Sequence, residues 1–221
     1  GRTGKHTMTY SLTTLKTAIK DYVENDETTF VNNLDNFIKN TEERILKFVD
    51  LDYFRKNVTA SLSSGNKFLA LPSDYLASLS LSIVSSGSNV FLEQKDVNFL
   101  QEFAPDPTVT GQPRYYGIFD VDNIILAPTP NQAYTAELHY YYRPQSITAT
   151  SSGTSWFGDN APDVLLYGSL VEAYTFMKGE PTVIQLYEKR FTESLARLKV
   201  YAEAVENTDA YRVGLVRIQK Q

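Results

Sequence analysis

The chain has 221 residues, 42% hydrophobic and 21% charged, a globular composition that excludes wholesale disorder and leaves room for one large domain or a core with an insertion. With no cysteine at all, disulfides, thiolate metal sites and cysteine nucleophiles are excluded together, and the redox compartment stays undecided. The formal net charge of −5 speaks against a dedicated DNA-binding surface, and no run approaches the ~20 apolar residues of a membrane span.

No signal peptide is legible at the start of the chain. Residues 1–8 read as a leader or flexible end, with Met8 as a natural start. Residues 9–55 form the N-terminal part of a helical bundle. Ser11 opens a short amphipathic helix carrying Leu12, Leu15, Ala18, Ile19, Tyr22 and Val23. Asp26–Thr29 supplies caps for a longer helix to about Val49, with the stripe Phe30, Leu34, Phe37, Ile38, Thr41, Ile45 and Phe48.

Over residues 56–147 the period changes from about 3.6 to 2, which predicts a β-rich antiparallel insertion. Val58–Ser63 alternates, Gly65-Asn66 turns and Lys67–Leu71 returns, a hairpin signature. Leu79, Leu81 and Ile83 alternate with serines, and Val90-Phe91-Leu92 resumes after a loop at Ser85–Asn89. Asp96–Phe103 reads as a short helix, and Pro105, Pro107, Gly111 and Pro113 as an irregular crossing. Tyr115–Phe119, Asn123–Ala127 and Thr135–Tyr142 give three more strands. Thr148–Ser155 is Ser/Thr/Gly-rich, and residues 148–159 read as a linker.

Residues 160–206 form a helical hairpin. Asn160-Ala161-Pro162-Asp163 is a helix start, and the helix to about Met177 is apolar on nearly every side. Such a helix must be covered all round, by its own chain or by a neighbour. Lys178-Gly179-Glu180-Pro181 stops it, with Gly179 in the left-handed cap. The next helix starts near Thr182 with the stripe Ile184, Tyr187, Phe191, Leu195, Leu198, Ala202 and Val205, and Asn207-Thr208-Asp209 breaks it. Residues 207–221 then form an extended C-terminal arm in which Tyr211, Arg212, Val213, Leu215, Val216, Arg217 and Ile218 alternate apolar groups with arginines. A frayed terminus and an arm that adds to another protein both fit this pattern. The fold class is α+β.

Residues for chemistry are sparse. Of the two histidines, His6 lies in the leader and His139 on a strand, so a structural zinc site has no ligand set. No serine sits in a nucleophile elbow. Gly1–Thr7 resembles a phosphate loop with too short a spacing, and Asp120–Asn123 a calcium loop without its Gly and Glu. Catalytic residues, metal ligands and cofactors are therefore none. Glu172, inside the apolar helix, reads as a partner for Arg190 or Arg197 or as an inter-subunit pair. Glu42-Glu43-Arg44 reads as a solvated face. The 15 Tyr and 12 Phe are the better lead, since tyrosine gathers where protein surfaces meet. Tyr115, Tyr141, Tyr167 and Tyr174 join Glu172 as candidate inter-subunit contacts.

The order of the pieces resembles bacteriophage head-to-tail adaptor proteins. The resemblance rests on Thr9-Tyr10-Ser11-Leu12 before Leu15–Tyr22, on Phe37-Ile38 with Glu42, Arg44 and Ile45, and on Leu71-Pro72-Ser73-Asp74-Tyr75. It continues through Gly111–Tyr116, Leu126-Ala127-Pro128-Thr129-Pro130, Leu138, Tyr140-Tyr141 and Asn160-Ala161-Pro162-Asp163. It implies a structural protein at the head-tail junction of the virion, assembled in the host cytoplasm, with no membrane. Its partners would be the portal protein, a tail or nozzle protein, and copies of itself in a dodecameric ring that genomic DNA crosses without sequence-specific binding. Tyr211–Ile218 would be the arm that grips the portal. A reading from another class is a carbohydrate- or surface-binding β module on a helical stem, with the tyrosine-rich strands as a stacking platform.

Overall fold

The structure is a computed structural model that describes residues 8–49, 54–150 and 152–213, the last eleven of them as backbone alone. The chain divides into two compact units, Phe54–Arg143 and a helical unit drawn from both flanking parts of the chain.

In the helical unit, α1 (Leu12–Val23) begins at a capping box. The Ser11 hydroxyl accepts from the Thr14 amide at 3.2 Å, and the Thr14 hydroxyl accepts from the Ser11 amide at 2.9 Å. The single long helix expected before Val49 is two helices, α2 (Thr28–Val31) and α3 (Leu34–Phe48). Asparagine chemistry divides them: the Asn33 amide bonds back to Phe30 O at 3.0 Å and its Nδ2 donates to Thr29 O at 2.8 Å, in competition with the helical ladder. Residues 148–159 are not simply a link. Ser155 caps a short helix, α5 (Trp156–Asn160), whose Phe157 is fully buried.

The apolar helix α6 (Pro162–Phe176) packs against α1, α3, α5 and the long α7 (Pro181–Val213). Its own chain buries Val164, Leu165, Leu166, Leu170, Val171 and Ala173, so copies of the protein are not needed to cover it. Gly168 shows how closely the helices approach: a Cβ there would lie 2.3 Å from the Thr41 methyl on α3 and 2.9 Å from the Phe191 ring on α7. The stop after α6 also differs from expectation. The left-handed residue is Lys178, with φ 55°, while the Gly179 amide closes the turn onto Tyr174 O at 2.8 Å. Nor does α7 break at Asn207–Asp209; its backbone stays helical to Val213.

The second unit is a mixed seven-stranded sheet with order β1-β9-β3-β4-β6-β7-β2. Its strands are β1 (Arg55–Ser61), β2 (Phe68–Ala70), β3 (Tyr75–Ser85), β4 (Ser88–Gln94), β6 (Tyr115–Ile118), β7 (Asn123–Ala127) and β9 (Thr135–Tyr142); two short strands, β5 (Thr110–Gly111) and β8 (Thr129–Pro130), pair separately. The expected β1–β2 hairpin does not form. β1 pairs with β9 and β2 with β7, at opposite ends of the strand order. Residues 62–67 connect these ends along the β7–β9 link, through Leu62 N to Tyr134 O, Gly65 N to Pro130 O and Leu126 N to Lys67 O. The sheet thus curls about one core that joins Leu62, Leu81, Ile83, Leu92, Tyr116, Ile124, Leu126 and Leu138.

Two connections have clear local causes. Ser86 and Gly87 both take positive φ (51° and 80°), the twist that a two-residue β3–β4 hairpin requires. The parallel β4–β6 pair needs a longer crossover, and α4 (Val97–Phe103) provides it, started by the Asp96 carboxylate accepting from the Phe99 amide at 2.9 Å. Leu100 of α4 packs on Ile125 and Ala127, so β7 is buried on both faces.

Candidate assembly surfaces

Several side chains expected at contacts between subunits pack within the chain itself. Tyr167 and Tyr174 both stack on Tyr187 of α7, with ring centroids 6.4 and 5.5 Å away, and Tyr22 meets Tyr187 edge-on at 6.4 Å. The Tyr174 hydroxyl donates to Tyr22 O at 3.1 Å. Burial, then the neighbouring Tyr174, push the Tyr187 phenol above its ordinary range. Arg190 lies over the Tyr167 and Tyr187 rings at 5.9 and 5.7 Å. It is therefore not the partner of Glu172, and neither is Arg197. Glu172 is half-buried and accepts a long hydrogen bond from Asn40 Nδ2 on α3, at 3.4 Å.

The Glu42-Glu43-Arg44 run is a solvated face at Glu43 alone. Glu42 is 4% exposed and accepts from the Ser146 hydroxyl at 3.0 Å. Arg44 donates to both carboxylate oxygens of Glu188 at 3.1 and 2.6 Å and covers the Phe191 ring at 4.2 Å. Sequence reasoning missed this α3–α7 clamp, because its two halves lie in separate parts of the chain.

In the β unit the tyrosines do not make an open platform. Tyr116 and Tyr140 belong to the core, and Tyr115 meets Phe99 and Phe103 edge-on at 5.3 and 5.0 Å. Tyr140 donates to Asp74 Oδ1 and Lys56 to Asp74 Oδ2, each at 2.7 Å. Partial burial works to raise the Asp74 pKa, but the bonds from Lys56 and Tyr140 outweigh it and hold the group below its ordinary value. Burial, aided by Asp74, pushes the Tyr140 phenol well up.

Tyr141 of β9 is half-buried, like Tyr115, Tyr167 and Tyr174. It lies opposite Arg55 of β1 and Ala77 of β3, beside two interruptions of the ladder. The β3–β9 register slips between Tyr75 and Ala77 and again between Ser78 and Ser80. Each slip is a bulge with one extra residue on β3, and the extra residues are Leu76 and Leu79. Leu76 is 46% and Leu79 39% exposed, whereas Leu81 and Ile83 are fully buried. Leu79 therefore leaves the face that simple alternation assigned to it.

The remaining features offer little chemistry. His139 pairs in the ladders with Asn57 and Ser80, and His6 lies outside the described residues. An open cleft of about 460 Å³ at the end of α1 is lined by Thr17, Lys20, Asp21, Glu24, Asn25 and Asp26. Among the described residues no cluster of three or more His, Asp or Glu is placed to hold a metal, and no helix is long and apolar enough to cross a membrane. Of the proposed arm, Tyr211, Arg212 and Val213 belong to the last turn of α7, while Leu215, Val216, Arg217 and Ile218 lie outside the described residues.

The family model for the SU10 adaptor protein matches residues 8–217, which takes in both units and nearly the whole chain. The chain belongs to the SU10 adaptor protein family. The adaptor is thus a structural protein of a bacteriophage virion, and its family implies contact with portal and tail proteins at the head-tail junction. No curated protein matches the adaptor.

Proposed function

We propose that the adaptor forms a dodecameric ring below the portal, joins it to the tail and encloses the DNA exit channel, with its C-terminal arm gripping the portal. The observation that carries this reading is the family match over residues 8–217. The length of α7 supports the arm. Its 33 residues span about 50 Å at 1.5 Å per residue, more than twice the reach of the 15-residue α6, so α7 extends well beyond the length that α6 can cover. The arm is then a helix through Val213 followed by the last eight residues. The net charge of −5 suits a conduit, because a basic lining would hold the phosphate backbone electrostatically.

The test is negative-stain microscopy of the adaptor with its portal, beside co-sedimentation of a variant lacking Tyr211–Gln221. Rings with a central hole, and a folded truncated protein that no longer sediments with portal particles, are the expected results. A truncated protein that still co-sediments would refute the grip, and compact monomers beside bare portals would refute the ring.

A further inference from the structure

The β unit carries two surfaces of opposite character. One is the β6–β7 tip, where Val121 is 88% exposed, the highest exposure of any large apolar residue described, between the exposed carboxylates of Asp120 and Asp122. The tip is held in shape: Asp120 accepts from the amides of Asp122 and Asn123, each at 2.8 Å, and Leu71 N bonds to Asp122 O at 2.7 Å. The Asp122 carboxylate itself has no partner among the described residues. The other surface is the bulged start of β3, where Leu76 and Leu79 stand out of the ladder beside half-buried Tyr141. Arg55, opposite Tyr141 in register, is exposed and has no ion pair among the described residues.

We propose that the β6–β7 tip of one copy docks on the bulged β3 face of the next, with Val121 against Leu76, Leu79 and Tyr141 and the Asp122 carboxylate toward Arg55. This contact rests on the ring reading and gives it a specific interface. The occupant is a second copy because the complement is in both charge and apolarity: an acid-flanked apolar knob meets an apolar spot edged by a cation with no ion pair among the described residues. Knob and spot are different patches of one chain, so the contact is head-to-tail, the kind that closes into rings. Topology agrees. β6 runs parallel to β4, and β4 antiparallel to β3, so the tip and the start of β3 lie at the same end of the sheet. Neighbours can then meet side by side at one level.

The absence of cysteine makes the test clean. Full-length Val121→Cys and Leu79→Cys proteins, mixed under mild oxidation with and without portal particles, should give a disulfide-linked dimer that reductant returns to monomer. Each variant alone should not. Asp122→Arg in the first protein should lower the yield several-fold, and Arg55→Asp in the second should restore it. Rings in the micrographs without the cross-link would overturn this contact and leave the ring standing. No cross-link and no rings would sink both, while cross-linking without rings would keep the contact and sink the ring. A yield indifferent to the charge exchange would overturn the pairing of Asp122 with Arg55.

Discussion

Two residues decide how tightly each unit is tied. Gly168 lets α3 and α7 reach α6, because a methyl there would overlap the Thr41 methyl at 2.3 Å. Gly168→Ala should therefore cost about 1–3 kcal/mol despite the better helix propensity of alanine, since overpacking a close helix contact outweighs that gain; denaturant unfolding measures it. Asp74 acts in the β unit through Lys56 and Tyr140. Its carboxyl is held below the ordinary 3.8, so its stabilisation is whole above that pH and is lost as pH falls through the lower folded value. Asp74→Ala should cost about 1–3 kcal/mol at neutral pH and flatten the decline of stability in acid. An unchanged acid limb would show that another carboxylate governs it. Raised Tyr140 acts in the opposite range, with stability falling as pH climbs past 10.0.

At the scale of the element, β1 pairs with β9 along one edge and, among the described residues, with no strand along the other. Tyr142 N bonds to Phe54 O, Leu62 N bonds to Tyr134 O, and the register between them is unbroken. Even-numbered residues of β1 therefore turn their backbone groups to β9, and odd-numbered residues turn theirs away. Val58→Pro should remove ladder bonds and lower the unfolding midpoint, whereas Thr59→Pro, at a position facing off the sheet, should be tolerated. Equal loss from both, read by thermal unfolding, would contradict this assignment. The tolerated variant also keeps the fold available for assembly measurements.

At the scale of the whole molecule, each unit has a core closed by its own chain. α6, the most apolar element, is covered by α1, α3, α5 and α7, and the curled sheet closes on its own cluster. The purified protein should therefore still unfold cooperatively when diluted below the concentration at which subunits associate, because a monomer with a closed core is folded by itself. A diluted protein that shows no unfolding transition would mean that folding and assembly are one process. In the proposed ring, assembly is then a matter of surfaces added to a finished fold: the β6–β7 tip, the bulged start of β3 and the far end of α7.

Local signals determined much of this without the tertiary structure. The Ser11 cap, the Asp96 cap, Pro162 at the start of α6, the 3.6-residue stripe of α7 and the alternation along β9 each act over a few neighbours, so type and place of these elements, and the α+β class, were legible in the chain. The family was legible too, because its motifs follow one another in order from Thr9 to Asp163, a span the family match encloses. What local signals could not decide depends on groups far apart in sequence. Whether Lys67–Leu71 returns to β1 or crosses to β7 depends on which partner closes the larger core. The exit of Leu79 from its face depends on a register slip against β9. Glu42 is buried, although the charges around it look solvated, because Ser146 comes from another part of the chain to meet it. The cover of α6 likewise needed the fold, since an apolar helix states that it must be buried but carries no mark of what buries it.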